Sequence, residues 1–291
     1  MKIGYACINT NVGCTANSSF ILRSYSVAKL KQTVAGNLEC LEQILKYNQK
    51  QRIRFFRIGS SLVPFASHPV CKFDWQNFFK SELARLGNYA RQHGMRLAMH
   101  PGQYTVINSP DKQIVQRAVR DLVYHTEVLD LMKLPLSAKV QIHVGGAYGD
   151  KSAAIDRFIK QYHRLPTAVK RRLVVENDER LFSLTDCLKI SRQSGMPVLC
   201  DILHHKLNNE GESLRAAVRL AGQTWKSIDG VPIVDYSTPR RGGRRGSHSQ
   251  TIGLTGLKNF LKEAKGLKFD LMLEVKDKNI SAERVQRKLE I

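Results

Sequence analysis

The sequence predicts an α/β fold, a single (β/α)8 or TIM barrel, and two observations carry that prediction. Eight short apolar runs alternate with amphipathic segments along a chain of 291 residues. Repeated alternation of strand and helix favours parallel strands joined by right-handed crossovers. Eight such units in a chain of this length fit a closed barrel better than an open sheet. We expect one domain over residues 1–291, because no linker rich in Pro, Gly or Ser interrupts the pattern.

The predicted strands are mostly apolar and rich in β-branched residues, which is typical of strands buried on both faces. They cover residues 3–8, 54–59, 96–100, 139–144, 173–176, 197–203, 231–236 and 269–275. Helical spacing of apolar side chains predicts helices between them, around residues 34–45, 75–90, 112–132, 152–171, 184–194, 212–225 and 256–265. Gly94 follows the second of these helices and is expected to end it.

The charge of the chain is far from balanced. It has 46 Lys and Arg against 25 Asp and Glu, a formal net charge of +21. Net charge carries no information about fold, but it does bear on partners, and an excess of this size favours a polyanion such as DNA or RNA. No apolar run is long enough to span a membrane, and the N-terminus lacks the apolar stretch of a secretion signal. We therefore expect a cytoplasmic protein with no membrane partner.

The six cysteines form no Cys-x-x-Cys pair and no regular framework. This spacing argues against a disulfide scaffold and against a zinc site built from thiolates. Reduced and mostly buried thiols are the expectation, because free cysteine behaves as a small apolar side chain.

Histidine and carboxylate side chains recur where the apolar runs end. Such groups are costly on buried strands unless they are paired or bind a metal, and in a (β/α)8 barrel the carboxyl ends of the strands meet at the face that carries active sites. A metal site is therefore expected at this C-terminal face of the strands. The candidate ligands are His100, His143, Glu176, Asp201, His204, Asp235, His248 and Glu274.

The types and number of these side chains indicate which metals they would bind. Imidazole and carboxylate without thiolate suit Mn²⁺, Zn²⁺ or Fe²⁺. Eight ligands are too many for one ion but suit two or three ions that share a carboxylate, for which Glu176 is the choice, and such a centre supports phosphodiester hydrolysis. Asp201 and His204 are three residues apart, so they would point to opposite faces of a strand. We expect His204 in the following loop, and His205 stays open as the alternative ligand.

Two long loops follow predicted strands and would lie on the same face. The arginine loop, residues 237–250, contains Arg240, Arg241, Arg244 and Arg245, whose guanidinium groups can bind phosphate bidentately. The probing loop, residues 101–110, contains Gln103 and Tyr104. A planar amide and an aromatic ring are side chains that can enter a base stack.

The chain resembles the ultraviolet damage endonuclease family, also called UvdE or UvsE, nearly from end to end. The motifs that carry the resemblance are GYACIN, FRIGSSLVP, MHPGQY, IHVGG, VVEND, CDILHH, DYSTP and LMLEVKDK. The resemblance implies a metal-bearing barrel similar to that of endonuclease IV. It also implies a DNA repair enzyme that nicks double-stranded DNA immediately 5′ of cyclobutane pyrimidine dimers and 6-4 photoproducts. Such enzymes leave a 3′-hydroxyl and a 5′-phosphate and use divalent ions, usually Mn²⁺, with Zn²⁺ or Mg²⁺ as alternatives.

The resemblance also implies roles for individual residues. His100, His143 and Glu176 would hold one ion; Glu176, Asp201, His248 and Glu274 a second; His204 and Asp235 a third. Gln103 and Tyr104 would probe the duplex, and Tyr5 and Asn9 would lie near the lesion pocket. His68 would lie near the phosphate, and with Glu176 and Lys276 it completes the expected catalytic set. Lys276 and Lys278 both follow Glu274, and a solvated loop position is the commoner situation for each.

One departure from the family concerns the third ion. Some relatives have a lysine that can be carboxylated and, two residues later, a histidine, whereas this chain has Ile233 and Asp235. We expect the third ion to be held differently or more weakly. Three alternatives stay open: an abasic-site endonuclease of the endonuclease IV type, a metal-dependent sugar isomerase or epimerase, and a DNA-binding protein without activity. A monomer is expected.

Overall fold

A computed structural model of the protein, described here for residues 1–289, is a closed barrel of eight parallel strands in the order β1 to β8. The predicted TIM barrel is thus confirmed; the last two residues of the expected 1–291 domain lie outside the described part. The strands are four residues each: β1 Ile3–Ala6, β2 Phe55–Ile58, β3 Arg96–Met99, β4 Val140–His143, β5 Leu173–Glu176, β6 Val198–Asp201, β7 Ile233–Tyr236 and β8 Asp270–Leu273.

Helices cover the outside of the barrel, mostly in the predicted places. Over residues 1–289 they are α1 Val27–Lys50, α2 Trp75–Phe78, α3 Lys80–Gln92, α4 Lys112–Leu131, α5 Lys151–Arg164, α6 Thr167–Arg172, α7 Leu184–Ser194, α8 Ile202–Leu207, α9 Leu214–Gly222, α10 Leu254–Glu263 and α11 Asn279–Leu289, with 3-10 turns at Leu22–Ser24 and Ser227–Asp229. None of them combines the length and the apolar character needed to cross a membrane.

Two boundaries differ from the sequence prediction for identifiable reasons. The helix expected over 152–171 breaks into α5 and α6, because Pro166 forces the preceding Leu165 into an extended conformation. The strand expected over 197–203 ends at Asp201. The side chain of Asp201 accepts a hydrogen bond from the backbone of His204 and thereby caps α8.

The interior of the barrel is layered, because alternate residues of each strand point inward. The middle layer is apolar and contains Ala6, Phe55, Ala98, Val174, Leu199, Ile233 and Met272. Two residues further along their strands, Arg57 and Asp235 form part of a polar layer at the C-terminal end. Arg96 and Asp270 form part of a second polar layer at the N-terminal end.

One expectation about cysteine is wrong. Cys14, in the loop after β1, and Cys40, on α1, form a disulfide with their Cα atoms 5.9 Å apart. The two residues are 26 positions apart in sequence, and only the packing of the loop against the helix brings them together. Cys7, Cys71, Cys187 and Cys200 are free thiols, as expected.

Candidate metal centre and nucleic-acid interface

Parallel strands bring the candidate ligands to one end of the barrel. His143, Glu176 and Asp201 are the last residues of β4, β5 and β6, while His100 and Glu274 directly follow β3 and β8. His143 lies beside Glu176 in the register of the sheet. The side chains form three overlapping groups, in each of which the possible ligand atoms lie within 4.8 Å of one another: His100, His143 and Glu176; Glu176, Asp201 and His204; Asp201, Asp235 and Glu274.

The first group consists of two imidazoles facing one carboxylate. The Nε2 atoms of His100 and His143 lie 3.4 Å and 3.5 Å from Oε2 of Glu176. Nδ1 of His100 is 2.9 Å from the carbonyl oxygen of Pro101, a contact that leaves Nε2 free to bind a metal. Burial lowers the pKa of His143 and favours the neutral imidazole that a metal requires.

The second group places His204, and not His205, at the centre. Nδ1 of His204 lies 3.4 Å from Oε1 of Glu176 and 3.0 Å from the carbonyl oxygen of Asn177. Nε2 of His205 contacts the carbonyl oxygen of Glu212 at 3.0 Å, and His205 belongs to none of the three groups. His204 lies on α8 rather than in the expected loop. Burial raises the pKa of Asp201 to about 7. Burial disfavours the charged form of His204, but the carboxylates of Asp201 and Glu176 raise its pKa to about 11.

The third group rests on two side chains that sequence reasoning missed. The guanidinium of Arg57 donates to Oδ2 of Asp235 at 2.6 Å and to Glu274. The amide of Gln141 donates to Oε2 of Glu176 at 2.5 Å and to Oδ2 of Asp235 at 2.7 Å. The sequence contained a signal for these inward-facing polar residues. Arg57 and Gln141 interrupt the apolar runs FFRIG and VQIHV, and each follows an inward-facing position by two residues.

The residues present fit divalent cations. Four carboxylates face one another, from Glu176, Asp201, Asp235 and Glu274, and Arg57 is the one guanidinium bonded to them within the described residues. Oδ2 of Asp201 and Oδ1 of Asp235 are buried and have no hydrogen-bond partner among residues 1–289. A buried carboxylate oxygen without a partner is costly, and a bound cation would satisfy that of Asp201, whereas Asp235 is already bonded through Oδ2 to Arg57 and Gln141. Carboxylate and imidazole donors suit Mn²⁺, Zn²⁺ or Fe²⁺.

The arginine loop is folded back so that His248 approaches this centre. Pro239 and His248 pair as an antiparallel bridge, and the backbone NH of Arg240 donates to the carbonyl oxygen of Ser247 at 2.8 Å. Nε2 of His248 lies 3.9 Å from Oε2 of Glu274. All four arginine side chains of the loop are exposed, namely those of Arg240, Arg241, Arg244 and Arg245.

A cleft of about 380 Å³ lies over the centre, lined among others by His100, Gln103, His143, His248, Glu274 and Lys278. Tyr104, beside Gln103, is 84% exposed. An aromatic ring that protrudes from a loop next to a cleft has a geometry that permits insertion into a base stack. Of the two lysines that follow Glu274, Lys278 is the one that lines the cleft.

Four of the expected site residues lie elsewhere. Tyr5 and Asn9 are buried, because Tyr5 packs outward against α1, donates to Oδ1 of Asn48 at 2.7 Å and accepts from the amide of Asn9. Their position near a lesion stays a prediction. His68 and Lys276 have exposed side chains outside the three groups of ligand atoms and outside the lining of the cleft.

The chain matches the family described as UV-endonuclease UvdE over residues 1–290. A UV DNA damage endonuclease of Clostridium perfringens (strain 13 / Type A) is 40% identical over 284 residues, which are 97% of this chain and 69% of that protein. A UV DNA damage endonuclease of Bacillus cereus (strain B4264) is 34% identical over 255 residues, 87% of this chain and 80% of that protein.

Solved structures agree with this relationship. The structure described as SacUVDE superimposes with a TM-score of 0.95 and 39% identity, covering 100% of this chain and 99% of that one. A D-psicose 3-epimerase from Clostridium cellulolyticum H10 superimposes with a TM-score of 0.54 and 14% identity, over 80% and 79% of the two chains, which shows a shared fold alone. The chain belongs to the UV-endonuclease UvdE family.

Proposed function

We propose that this enzyme nicks double-stranded DNA immediately 5′ of cyclobutane pyrimidine dimers and 6-4 photoproducts by metal-dependent hydrolysis, leaving a 3′-hydroxyl and a 5′-phosphate. The observation that carries the proposal is the group of four carboxylates and their histidines at the floor of a cleft, on a chain of net charge +21. The charge supports a polyanionic substrate, and family membership supports damaged DNA.

Divalent ions, with Mn²⁺ preferred and Zn²⁺ or Mg²⁺ as alternatives, belong to the proposal. The first would be held by His100, His143 and Glu176, and a second by Glu176, Asp201, His248 and Glu274, with Glu176 shared. His204, which the resemblance assigns to a third ion, would join the second because it lies beside Glu176. Such ions supply Lewis-acid polarisation of the phosphodiester and of the attacking water. The orphaned oxygen of Asp201 and the contact of His204 with Glu176 support this ligand set.

The exposed loops would bind and orient the duplex. The arginine loop would contact phosphates, because guanidinium groups stay charged and bind phosphate bidentately. Lys278 lines the cleft and would place a second type of cation near the scissile phosphate. Contacts of this kind give affinity that depends on salt and not on sequence.

Lesion selectivity would come from the ease with which damaged DNA deforms. A crosslinked photodimer stacks and pairs poorly, so displacing it from the duplex costs less than displacing normal bases. Tyr104 is exposed and could enter the vacated space together with Gln103.

Because one chain supplies every ligand group, we expect a monomer, and chromosomal DNA as substrate would place it in the cytoplasm.

The decisive experiment uses an end-labelled duplex with one thymine dimer, incubated with Mn²⁺ or with EDTA. We expect one nick just 5′ of the dimer, only with metal, and none on the undamaged duplex. A duplex with an abasic analogue distinguishes the alternative endonuclease. No nick beside the dimer with any divalent ion would refute the proposal, and cleavage of the abasic duplex alone would replace it.

A further inference from the structure

Arg57 lies at the floor of the metal centre and is nearly inaccessible. Its side chain is 3% exposed. It follows Phe55 of the apolar middle layer by two residues on β2, so it points inward and upward to the ligand groups. Its guanidinium bonds to the carboxylates of Asp235 and Glu274 and to Oε1 of Gln141 at 2.8 Å. A guanidinium stays protonated in proteins, so Arg57 is permanently charged.

These bonds occupy much of the third group of ligand atoms. Oδ2 of Asp235 accepts from both Arg57 and Gln141, at 2.6 Å and 2.7 Å. Oε1 of Glu274 accepts from Arg57, while Oε2 of Glu274 is the oxygen that faces His248. A divalent ion bound by Asp235 would therefore lie beside a guanidinium, in a buried place where two like charges repel strongly.

The net charge of the centre also argues against a third divalent ion. With the histidines neutral, as metal binding requires, four ionised carboxylates and one guanidinium leave three negative charges. Two divalent ions would leave the centre with a net charge of +1. This charge matches the single negative charge of one phosphodiester. Three ions would leave three positive charges in a largely buried site. The presence of Ile233, where some relatives have a lysine, also agrees with two ions. Its side chain belongs to the apolar layer and can neither bind a metal nor hydrogen-bond to a ligand.

We propose that Arg57 is a built-in cation of the centre that takes the place of a third ion, so that the chain holds two divalent ions. In this arrangement Asp235 is a positioning residue: it fixes Arg57, which in turn orients Glu274 so that Oε2 faces the ion beside His248. The amide of Gln141 donates to both Asp235 and Glu176, so it connects Asp235 to the ligand that the first two groups share. The inference rests on the metal centre of the proposed function, and it concerns the number of ions rather than the reaction.

The primary test is metal content, measured by mass spectrometry on protein loaded with Mn²⁺ and freed of excess ion by gel filtration. We expect two Mn²⁺ per chain. Anomalous diffraction at the Mn edge should show two peaks and none within bonding distance of Asp235. Three fully occupied ions, or an ion bound to Asp235, would overturn the inference.

Matched variants distinguish a positioning residue from a ligand. His143→Gln removes a member of the first group and should lower the count by one, whereas Asp235→Asn should leave two ions bound. Loss of an ion in Asp235→Asn would show that Asp235 is a ligand. Arg57→Gln should admit a third Mn²⁺ at millimolar metal, and Arg57→Lys should restore the count of two.

Folding is followed for each variant by circular dichroism and thermal melting. Arg57→Lys keeps the buried charge, so it stays informative if Arg57→Gln fails to fold, and a third ion in Arg57→Lys would count against the inference. The nicking assay keeps the two proposals apart. A protein that holds three ions and nicks damaged DNA contradicts only the role of Arg57, while one that holds two ions and nicks no DNA contradicts only the proposed function.

Discussion

The two ends of the barrel both bury charged side chains, but they balance those charges differently. At the N-terminal end each buried cation meets its own carboxylate: Arg96 bonds to Asp270 at 2.9 Å, and Lys139 bonds to Asp229. At the C-terminal end several carboxylates share Arg57. An apolar layer that includes Phe55 and Ile233 separates the two ends.

The difference shows how a buried charge can be recognised as structural or functional. At the N-terminal end each buried cation is paired with a carboxylate, so the charges of Arg96 and Lys139 are balanced within the protein. The C-terminal end keeps an excess of negative charge and orphaned oxygens on Asp201 and Asp235. Such an excess is relieved either by protonation of a buried carboxyl group or by bound cations, and the second is the property of a metal centre.

The largest expected effect comes from Glu176→Gln. Glu176 is shared by two ligand groups, so its loss should lower the single-turnover nicking rate at least ~10⁴-fold, about 5.5 kcal/mol of transition-state stabilisation. The metal-free protein should stay folded, because an amide has nearly the shape of the carboxylate and keeps an oxygen that can accept hydrogen bonds. Glu39→Gln on the exposed face of α1 is the control, and nicking by Glu176→Gln at the rate of this control would remove Glu176 from the centre.

At the opposite end Lys139→Met should act on stability instead. The change leaves Asp229 without its partner, which should lower the free energy of unfolding by about 3–5 kcal/mol, measured by urea denaturation. The folded fraction should nick at the wild-type rate. Loss of nicking without loss of stability would show that the two ends are not independent.

Metal binding should stabilise the protein more at high pH than at low pH. Burial raises the pKa of Asp201 to about 7, so the metal-free folded state holds a proton that the unfolded chain releases near pH 4. The contribution of Asp201 to the stability in EDTA should therefore fall as pH rises from about 4 to about 7. A fixed Mn²⁺ concentration, 100 times the Kd at pH 8, should add about 2.7 kcal/mol at pH 8 and less at pH 5.5. Calorimetry in EDTA and in Mn²⁺ at pH 5.5 and 8 would reveal this, and an effect of Mn²⁺ independent of pH would contradict it.

The smallest effect concerns the exposed charges. Replacing the four arginines of the arginine loop by Gln should weaken DNA binding about tenfold, near 1.4 kcal/mol. It should also flatten the dependence of log K on log salt, by up to about 0.9 for each phosphate that the loop no longer neutralises. The control removes four exposed cations near the N-terminal end, Lys50, Arg171, Lys265 and Lys268. Equal changes in the two variants, measured by fluorescence anisotropy, would show a non-specific effect of net charge.

The periodic part of the fold could be predicted from the sequence, and its irregular ends could not. All eight strands occur where apolar runs predict them, because burial on both faces requires such runs. The error at Ile202 and Leu203 arose because these apolar residues suit a strand as well as a helix. The decision came from the carboxylate of Asp201, which caps α8.

The candidate site divides in a similar way. Parallel strands force their carboxyl ends to one rim, so a shared location for His100, His143, Glu176 and Glu274 followed from the fold class. The direction of Tyr5 did not follow, because the hydrogen bond that holds it against α1 joins it to Asn48, 43 residues away.

By itself the sequence determined the strand–helix repeat, the excess of positive charge and the set of metal-binding side chains at the strand ends. These depend on residue type and on spacing within one element. Only the tertiary structure decided that Arg57 and Gln141 lie beneath that set, that His204 faces it while His205 does not, and that Cys14 bonds to Cys40. Each of these joins elements distant in the chain, and it arises because barrel closure fixes which side chains meet.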